Sequence, residues 1–515
     1  MMRPTTNPAR PLLGLVELLS AQADGPGLAK VAVTGITHDS RQVLPGDLYV
    51  ALPGTRAHGA EFAAQAAAAG AVAIWTDPAG RHRAAATGLP VLVTDDVRAR
   101  LGEAASWVYG DPARDLSLIG VTGTSGKTTT VYLLEAGLRA AGVDTAVIGT
   151  VEMRIGDTRL PSSLTTPEAT DLHAIFAKMR EVGVGAAAME VSSHALAQGR
   201  VGGTCYDVAV FTNLSQDHLD YHATMADYFA AKAKLFTPAY SRVGVVNVDD
   251  GYGRELTRIA QVPLTTFSAA GDPSADWRAE DVRLGADGSV FRLVGPGGIE
   301  ADVSIQLPGP FNVANALAAI VALVEAGLPL QVAAAGVGTL TGVPGRLEPI
   351  DEGQDFTALV DYSHKPGAVE AVLTSLREVT AGRLIVVLGC GGDRDRGKRP
   401  LMGETAARLA DVAVLTDDNP RSEDPLAILA AMVEGVLKVP QAERAHLVVE
   451  PDRAAAIALA LGRARRGDVV VIAGKGHEQG QYVAGRVLPF DDREVVRAEL
   501  RRLVAQADGR DVAQR

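Results

Sequence analysis

Cysteine is scarce: Cys205 and Cys390 are the only two in 515 residues. Two are too few for a disulfide framework, and they fit a reducing compartment. Aromatic residues make up 4% of the chain against 47% hydrophobic residues overall, so the cores must be built mainly from Ala, Val and Leu. An excess of positive charge is missing as well. The formal net charge is −12, which argues against a nucleic-acid coat or a polybasic membrane binder. The best membrane candidate, "VANALAAIVALVEAGL", is interrupted by Asn315 and Glu325 and is too short to span. The opening "MMRPTTNPARPLLGLVELLS" is broken by Glu17 and has no cleavage site of a signal peptide. The expected protein is soluble and cytoplasmic, with a loose start and a loose tail "ADGRDVAQR".

What is present is a repeated alternation. Short apolar runs end in polar clusters, and helical stretches lie between them, as in buried parallel strands of βαβ units. The runs fall into three blocks, so the fold class is α/β with three domains, 1–112, 113–341 and 342–515. The first is small: "GDLYVAL", an Ala-rich helix, "AVAIW", "PVLVT". The second holds "LSLIGVTG", "TAVIGT", "GAAAME", "VAVFTN" and "RVGVVNVD". The third holds "FTALVDYSH", "RLIVVLGCGG", "DVAVLTDDNP" and "DVVVIAGKGHE". In open parallel sheets, ligands sit outside the carboxyl ends of the strands. The polar clusters of interest all fall there.

The strongest motif is "GVTGTSGKTTTVYLLEAGLRAAG", where an apolar strand becomes a helix. Backbone N–H groups of Gly123, Thr124, Ser125, Gly126, Lys127, Thr128 and Thr129 can cradle phosphate oxygens, aided by the helix N-terminus. Lys127 can reach the β/γ-phosphates, and the Thr128 hydroxyl can ligate Mg²⁺. The ordinary loop has a glycine where this chain has Val121, so this is a shorter G-x-x-G-K-T-T form. The helix is expected to bury Val131, Leu134, Leu138 and Ala141 on one face.

Glu190 ends the strand "GAAAME", where a carboxylate can hold Mg²⁺ or cap a helix. "QDHLDYH" gathers Asp217, His218, Asp220 and His222; on a helix the two histidines would share a face. Zinc is conceivable, but no H-E-x-x-H pattern or cysteine accompanies them. "MADYFAAKAKLF" predicts a short helix whose Lys232 and Lys234, taken alone, suit a solvated face. "GCGGDRDRGKRP" is not a dinucleotide fingerprint. It sets Arg394, Arg396, Lys398 and Arg399 at a strand end, where a basic loop can receive a carboxylate. A solvated turn is the preferred reading for Arg396 and Lys398.

Taken together and in order, "TGTSGKTTT", "MEVSSHAL", "FTNLSQDHLDYH", "AAKAKLF", "LPGPFNVANALAA", "VPGRLE", "VDYSHKPGAVE" and "GKGHE" resemble the Mur ligases, which build the peptide of bacterial cell-wall precursors. The resemblance covers nearly the whole chain. It implies an N-terminal UDP-binding domain, a central P-loop-type ATPase domain and a C-terminal Rossmann-like domain. It implies ATP and Mg²⁺, with Thr128 and Glu190 on one metal ion, and His218 and a carbamylated Lys232 on a second. Asn315, Arg346 and Asp361 are implied to contact the nucleotide. Ser40 and Thr55-Arg56-Ala57 match the uridine pocket, in the domain that departs most from the family pattern. Thr165, Thr166, Ser192, Gln198 and Arg200 match positions holding the muramyl dipeptide.

"TDDNPRSEDP" places Asp418-Asn419-Pro420-Arg421 where the family recognises meso-diaminopimelate as opposed to L-lysine, with Arg394, Gly474 and Glu478 beside it. The implied partners are UDP-N-acetylmuramoyl-L-Ala-D-Glu and meso-diaminopimelate. Neither nucleic acid nor a membrane is implied, and a monomer is expected. Gly342 and Gly345, in the stretch joining the second and third domains, offer places to absorb dihedral change on closure. Rival readings are a ligase adding another amino acid such as L-lysine, a folylpolyglutamate synthetase-like ligase, a nucleotide-dependent switch, and a zinc hydrolase built on "DHLDYH".

Overall fold

The computed structural model describes residues 2–160, 164–285 and 288–513, with side chains given through Gln506. Among the described residues, three sheets carry the architecture, one in each block of the chain. In the first, Val91–Val93, Ala73–Thr76, Asp47–Ala51 and Gly35–Thr37 run parallel, with Gln22–Asp24 antiparallel at one edge. In the third, Thr357–Asp361, Val469–Ala473, Leu384–Leu388, Val412–Leu415 and His446–Val449 are parallel neighbours in that order. The apolar runs read as strands in these two blocks are strands here and are buried on both faces but for Thr357, whereas Gln22–Asp24 and His446–Val449, which were not among those runs, are half-buried to exposed.

The central sheet has eleven strands. The strand before the phosphate loop, Ser117–Thr122, lies between Ala186–Glu190 and Tyr206–Phe211, both parallel to it. The register pairs Glu190 with Val121. The carboxylate therefore stands beside the start of the loop because strand pairing puts it there. One edge is extended by Trp277–Gly285, Gly288–Val294 and Glu300–Ile305, in which the last two pairings are antiparallel. The sequence reading did not identify these strands.

The helix after the loop, Lys127–Ala140, differs from the expected one-faced helix. Val131, Leu134 and Leu138 are buried as expected, but so are Tyr132 and Leu133, while Ala141 is exposed. The reason is a second layer. The helices Pro310–Glu325 and Leu330–Val337 cover its outer side, so it is buried all round. "VANALAAIVALVEAGL" is the first of these, a core helix. Among the described residues no helix is long and apolar enough to cross a membrane.

The start of the chain is held in place, contrary to expectation. Arg3 pairs with Asp47 at 2.5 Å, Thr5 N–H donates to Glu181 at 2.7 Å, and Asn7 donates to the carbonyls of Thr34 and Val108. The arm finds its partners in two domains, which no local pattern reveals. At the other end, helix Asp492–Ala513 continues into the tail that was expected to be loose. The expectation for Gln514 and Arg515 falls outside the described residues.

The first domain touches the second through a close backbone approach. On helix Val97–Val108, a Cβ on Gly102 would lie 2.2 Å from the carbonyl oxygen of Gly202. Two residues before Gly202 stands Arg200, whose carboxylate partner Glu168 also receives Arg98 from that helix. Gly102→Ala should therefore force the domains apart. The expected cost is about 1–3 kcal/mol of stability, with a raised KM for the uridine nucleotide that the resemblance implies and an unchanged KM for the implied ATP. Thermal unfolding and steady-state kinetics check both parts.

Candidate active site

The phosphate loop is shaped by contacts that only glycine permits. Gly123 has φ 148° and a Cβ there would lie 1.9 Å from Thr212 Oγ1; Gly126 has φ 87° and a Cβ would lie 2.3 Å from Asn315 Oδ1. Asn213, which sequence reading passed over, holds the loop between them. Its Oδ1 accepts from Ser125 N–H at 3.0 Å, and its Nδ2 donates to Ser125 O. Thr124 Oγ1 lies 3.1 Å from the Tyr228 hydroxyl. Thr129 and Thr130 are buried in the first helical turn.

Glu190 is 1% exposed and accepts three hydrogen bonds. They come from Thr128 Oγ1 at 2.9 Å, Thr150 N–H at 2.8 Å and Thr150 Oγ1 at 3.0 Å. Thr128 Oγ1 in turn accepts from Arg346 Nη2 at 3.2 Å. Arg346 comes from the third domain and stacks on Tyr362, 4.3 Å from the ring centroid. Asp361 fixes this crossing segment by accepting from the N–H groups of Leu347 and Ser363. Gly342 has open space where a side chain would be, whereas Gly345, with φ 66°, abuts the backbone of Gly476 and His477. Gly345 is therefore fixed by packing, unlike the freer pivot expected of it.

Between the second and third domains lies a cavity of about 620 Å³. Its walls include the loop residues, Glu190, Asn315, Arg346, Asp361 and Lys365. Lys127 lies along the loop, donating to the carbonyls of Gly123 and Thr124. Burial, with the nearby Lys365 charge, lowers its pKa to about 8. Lys232, on helix Met225–Ala233, is 1% exposed, so it is not on a solvated face; Lys234 is. Lys232 Nζ donates to Gly123 O at 2.8 Å and sits 4.7 Å above the Tyr228 ring. Burial, then the charges of Lys127 and Lys365, push its pKa well below the lysine range.

Asp217 and His218 do not lie on a helix. His218 has φ 54°, and the segment through His222 is a turn closed by His222 N–H to His218 O at 2.8 Å. His218 Nε2 is 3.0 Å from Asp217, which also pairs with Lys365 at 2.6 Å. Burial works against the Asp217 carboxylate, but the His218 hydrogen bond and the Lys365 charge hold its pKa well below the usual range. His222 points elsewhere, to Ser193 Oγ. Among the described residues no group of three or more His, Cys, Asp or Glu side chains is arranged to hold a metal, so the zinc reading has no site. The two cysteines are free.

The residues matched to the muramyl dipeptide form one wall beside Glu190. Thr165 bonds Thr150, Thr166 Oγ1 donates to Glu190 O, and Ser192 N–H donates to Thr166 Oγ1. Arg200 donates to Gln198 Oε1 and to Thr166 O. In the first domain, Ser40 and the stretch Thr55 to Ala57 follow the carboxyl ends of two parallel neighbours, with Thr55 and Arg56 exposed.

The motifs matched to diaminopimelate gather at strand ends of the third domain, outside the walls of the large cavity. Asp418, Asn419 and Pro420 are buried. Arg421 adopts φ 53° and is held by Tyr482 and Ala484 of the hairpin Gly480–Pro489, with Nη1 donating to Gly392 O at 2.7 Å. A Cβ on Gly474 would lie 2.5 Å from Asp418 Oδ2. Asn419 Nδ2 donates to Glu478 at 2.9 Å. Arg394 is exposed. Arg396 is exposed and pairs with Glu423; Lys398, half-buried, donates to His364 O; Arg399 is buried against Glu423.

What this geometry defines is a nucleotide-dependent ligase, in which two α/β domains meet over one phosphate site. Comparison with known proteins names its kind. The family models for the Mur ligase family catalytic domain, the Mur ligase middle domain and the Mur ligase glutamate ligase domain match residues 32–109, 121–323 and 345–476. The chain belongs to the Mur ligase family, whose members are ATP-dependent ligases. It is 61% identical to the UDP-N-acetylmuramoyl-L-alanyl-D-glutamate–2,6-diaminopimelate ligase of Streptomyces coelicolor, over 97% of this chain and 98% of that one. It is 63% identical to the protein of the same name from Streptomyces avermitilis, over 90% and 92%. A solved structure of an enzyme with that name aligns with a TM-score of 0.67 at 36% identity, covering 92% of this chain and 96% of that one.

Lys127→Ala removes the half-buried cation of the loop. Ligation should fall by about 10²–10³-fold while the unfolding midpoint stays near that of the wild type. Near-normal turnover would overturn the assignment of the phosphate site.

Proposed function

We propose that the chain joins meso-diaminopimelate to the D-Glu γ-carboxylate of UDP-N-acetylmuramoyl-L-alanyl-D-glutamate, with ATP converted to ADP and phosphate. The observation that carries this reading is the Asp418–Arg421 loop with Glu478 and Gly474 at one end of the third sheet. It is supported by the names of the proteins most like this chain.

A carboxylate is a poor electrophile. In the proposed reaction its oxygen attacks the γ-phosphorus of ATP, ADP departs, and an acyl phosphate forms. The amine then attacks the acyl carbon, loses a proton, and the tetrahedral intermediate expels phosphate. Two unit charges at about 4 Å repel by roughly 4 kcal/mol at an effective dielectric of 20. The first step brings like charges together, so the site must neutralise them. Lys127 and Arg346 both line the cavity at the phosphate loop for this. Thr128 Oγ1 and the Glu190 carboxylate are adjacent hard oxygen donors of the kind Mg²⁺ takes. Mg²⁺ held there would screen the phosphate charge.

Lys232 offers a buried amine whose pKa burial pushes well below the lysine range, and the neutral form of an amine is the one that reacts with CO₂ to give a carbamate. Carbamylated, it would turn a cation into an oxygen ligand near His218, with which it shares Tyr228 as a neighbour. Lys232→Ala should lose most activity, and a small carboxylate in the buffer should restore part of it. Unmodified mass at high bicarbonate together with a fully active alanine variant would overturn the carbamate.

Specificity rests on the far end of the amino acid, where diaminopimelate carries a carboxylate that L-lysine lacks. Arg421 offers a planar fork for it. A buried charge left without its partner costs roughly 3–5 kcal/mol. At about 1.4 kcal/mol per tenfold, and at the lower end for an open pocket, that is roughly two powers of ten in kcat/KM. Phosphate release should require both the uridine-nucleotide dipeptide and the amino acid, and the wild type should prefer meso-diaminopimelate by about that factor. Equal values, or a preference for L-lysine, would overturn the substrate reading.

A further inference from the structure

The amino-acid pocket is assembled around one buried ammonium that the reaction itself does not use. Lys475 follows the strand Val469–Ala473 and is 0% exposed. Its Nζ donates to Asn419 Oδ1 at 3.0 Å, Gly480 O at 2.7 Å and Glu478 Oε2 at 3.3 Å. Those are all the donors an ammonium has. The acceptors come from three segments: the Asp418–Arg421 loop, the turn carrying Glu478, and the hairpin beyond it. The side-chain oxygen of Asn419 is saturated as a result. Its Oδ1 also accepts from Tyr482 N–H at 3.0 Å, and its Nδ2 serves Glu478. Asn419 is therefore not free to accept from a ligand ammonium, which leaves the carboxylates of Asp418 and Glu478 for that task.

A second buried cation stands behind the first. Arg453, 2% exposed, grips Asp492 with two bonds of 2.7 Å and donates to Ala473 O at 3.0 Å. Gly474 lies between Arg453 and Asp418, with their side chains 3.9 and 2.5 Å from where its Cβ would be. Around the pocket, Lys475, Arg453 and Arg421 face Glu478, Asp418 and Asp492, and these six charges cancel, with the exposed Arg394 outside the set. A neutral surround suits a ligand end carrying both an ammonium and a carboxylate. With one cation removed, the surround is net negative and suits a plain ammonium.

We propose that Lys475 is a positioning residue for amino-acid selectivity. It pins Asn419 and Glu478 and supplies the cation that balances the pocket, favouring a zwitterionic side-chain end over a simple amine. This rests on the diaminopimelate reading above. Lys475 acts through its neighbours, because no donor of its own is left for the ligand.

The test is the ratio of kcat/KM for meso-diaminopimelate to that for L-lysine in the wild type, Lys475→Met and Lys475→Arg. In Lys475→Met the ratio should fall about tenfold or more, through KM for the amino acid, with KM for ATP unchanged. Lys475→Arg keeps the charge and should keep the ratio within about threefold. A merely structural lysine would lower the rates with both amino acids alike and leave the ratio unmoved, which would overturn the proposal. A wild type without the preference overturns both readings; a wild type with it and an unmoved ratio in Lys475→Met overturns this one alone. If Lys475→Met does not fold, the neutral Lys475→Gln takes its place.

Discussion

The arrangement of the catalytic region depends on where one carboxylate is put. Glu190 is buried, and every hydrogen bond it accepts comes from a neutral hydroxyl or amide. Burying an ion without a compensating charge is costly. The three hydrogen bonds and the nearby Lys127 charge offset that cost, and strand register fixes Glu190 level with Val121, where the phosphate loop begins. From that point the rest is arranged. The Thr128 hydroxyl links the carboxylate to Arg346 of the next domain, and the dipeptide-wall residues hang from the same strand end through Thr166. A phosphate site in a protein of net charge −12 must gather its cations locally. Lys127, Lys232 and Lys365 meet there, and their mutual repulsion with burial explains why two of them are poor proton holders.

Much of this was legible in the sequence because it is local. A β-branched run ending in a polar cluster is a buried parallel strand with a site at its end, and the strand ends at Thr122, Glu190, Asp361 and Ala473 read that way directly. The strength of the family resemblance added roles that spacing alone could not give; without it Lys232 reads as a surface residue. Other features depend on contacts far apart in the chain. The second helical layer over Lys127–Ala140, the pairing of Asp217 with Lys365 and the saturation of Asn419 by Lys475 need the fold itself. Lys365 and Lys475 stand inside motifs quoted for their neighbours, so their presence was visible and their partners were not. The strands between Trp277 and Ile305 alternate buried with exposed positions, so no continuous apolar run marks them as it marks the core strands.

The third domain solves a different problem with the same kind of sheet. Its strand ends carry a pocket built from both signs of charge, and its backbone is bent to suit: Arg421 is held in the left-handed region by two hydrogen bonds to a hairpin that comes later in the chain. Such strain persists where surrounding structure over-determines it. The hairpin is therefore part of the pocket even though its outer residues Tyr482, Val487 and Leu488 face solvent.

The anchored start of the chain bears on the order of assembly during synthesis. Thr5 bonds Glu181, 176 residues later. The arm is made before the helix Ala169–Glu181 of the second domain, so this bond waits until that helix has been made and folded. Domains generally fold as units as they emerge. Here the first domain can form its own sheet early and take up Arg3 and Asn7, yet Thr5 between them must wait for its neighbour. The joint between the two is thus set late, and a nascent chain stalled before Glu181 would hold a first domain without its clasp.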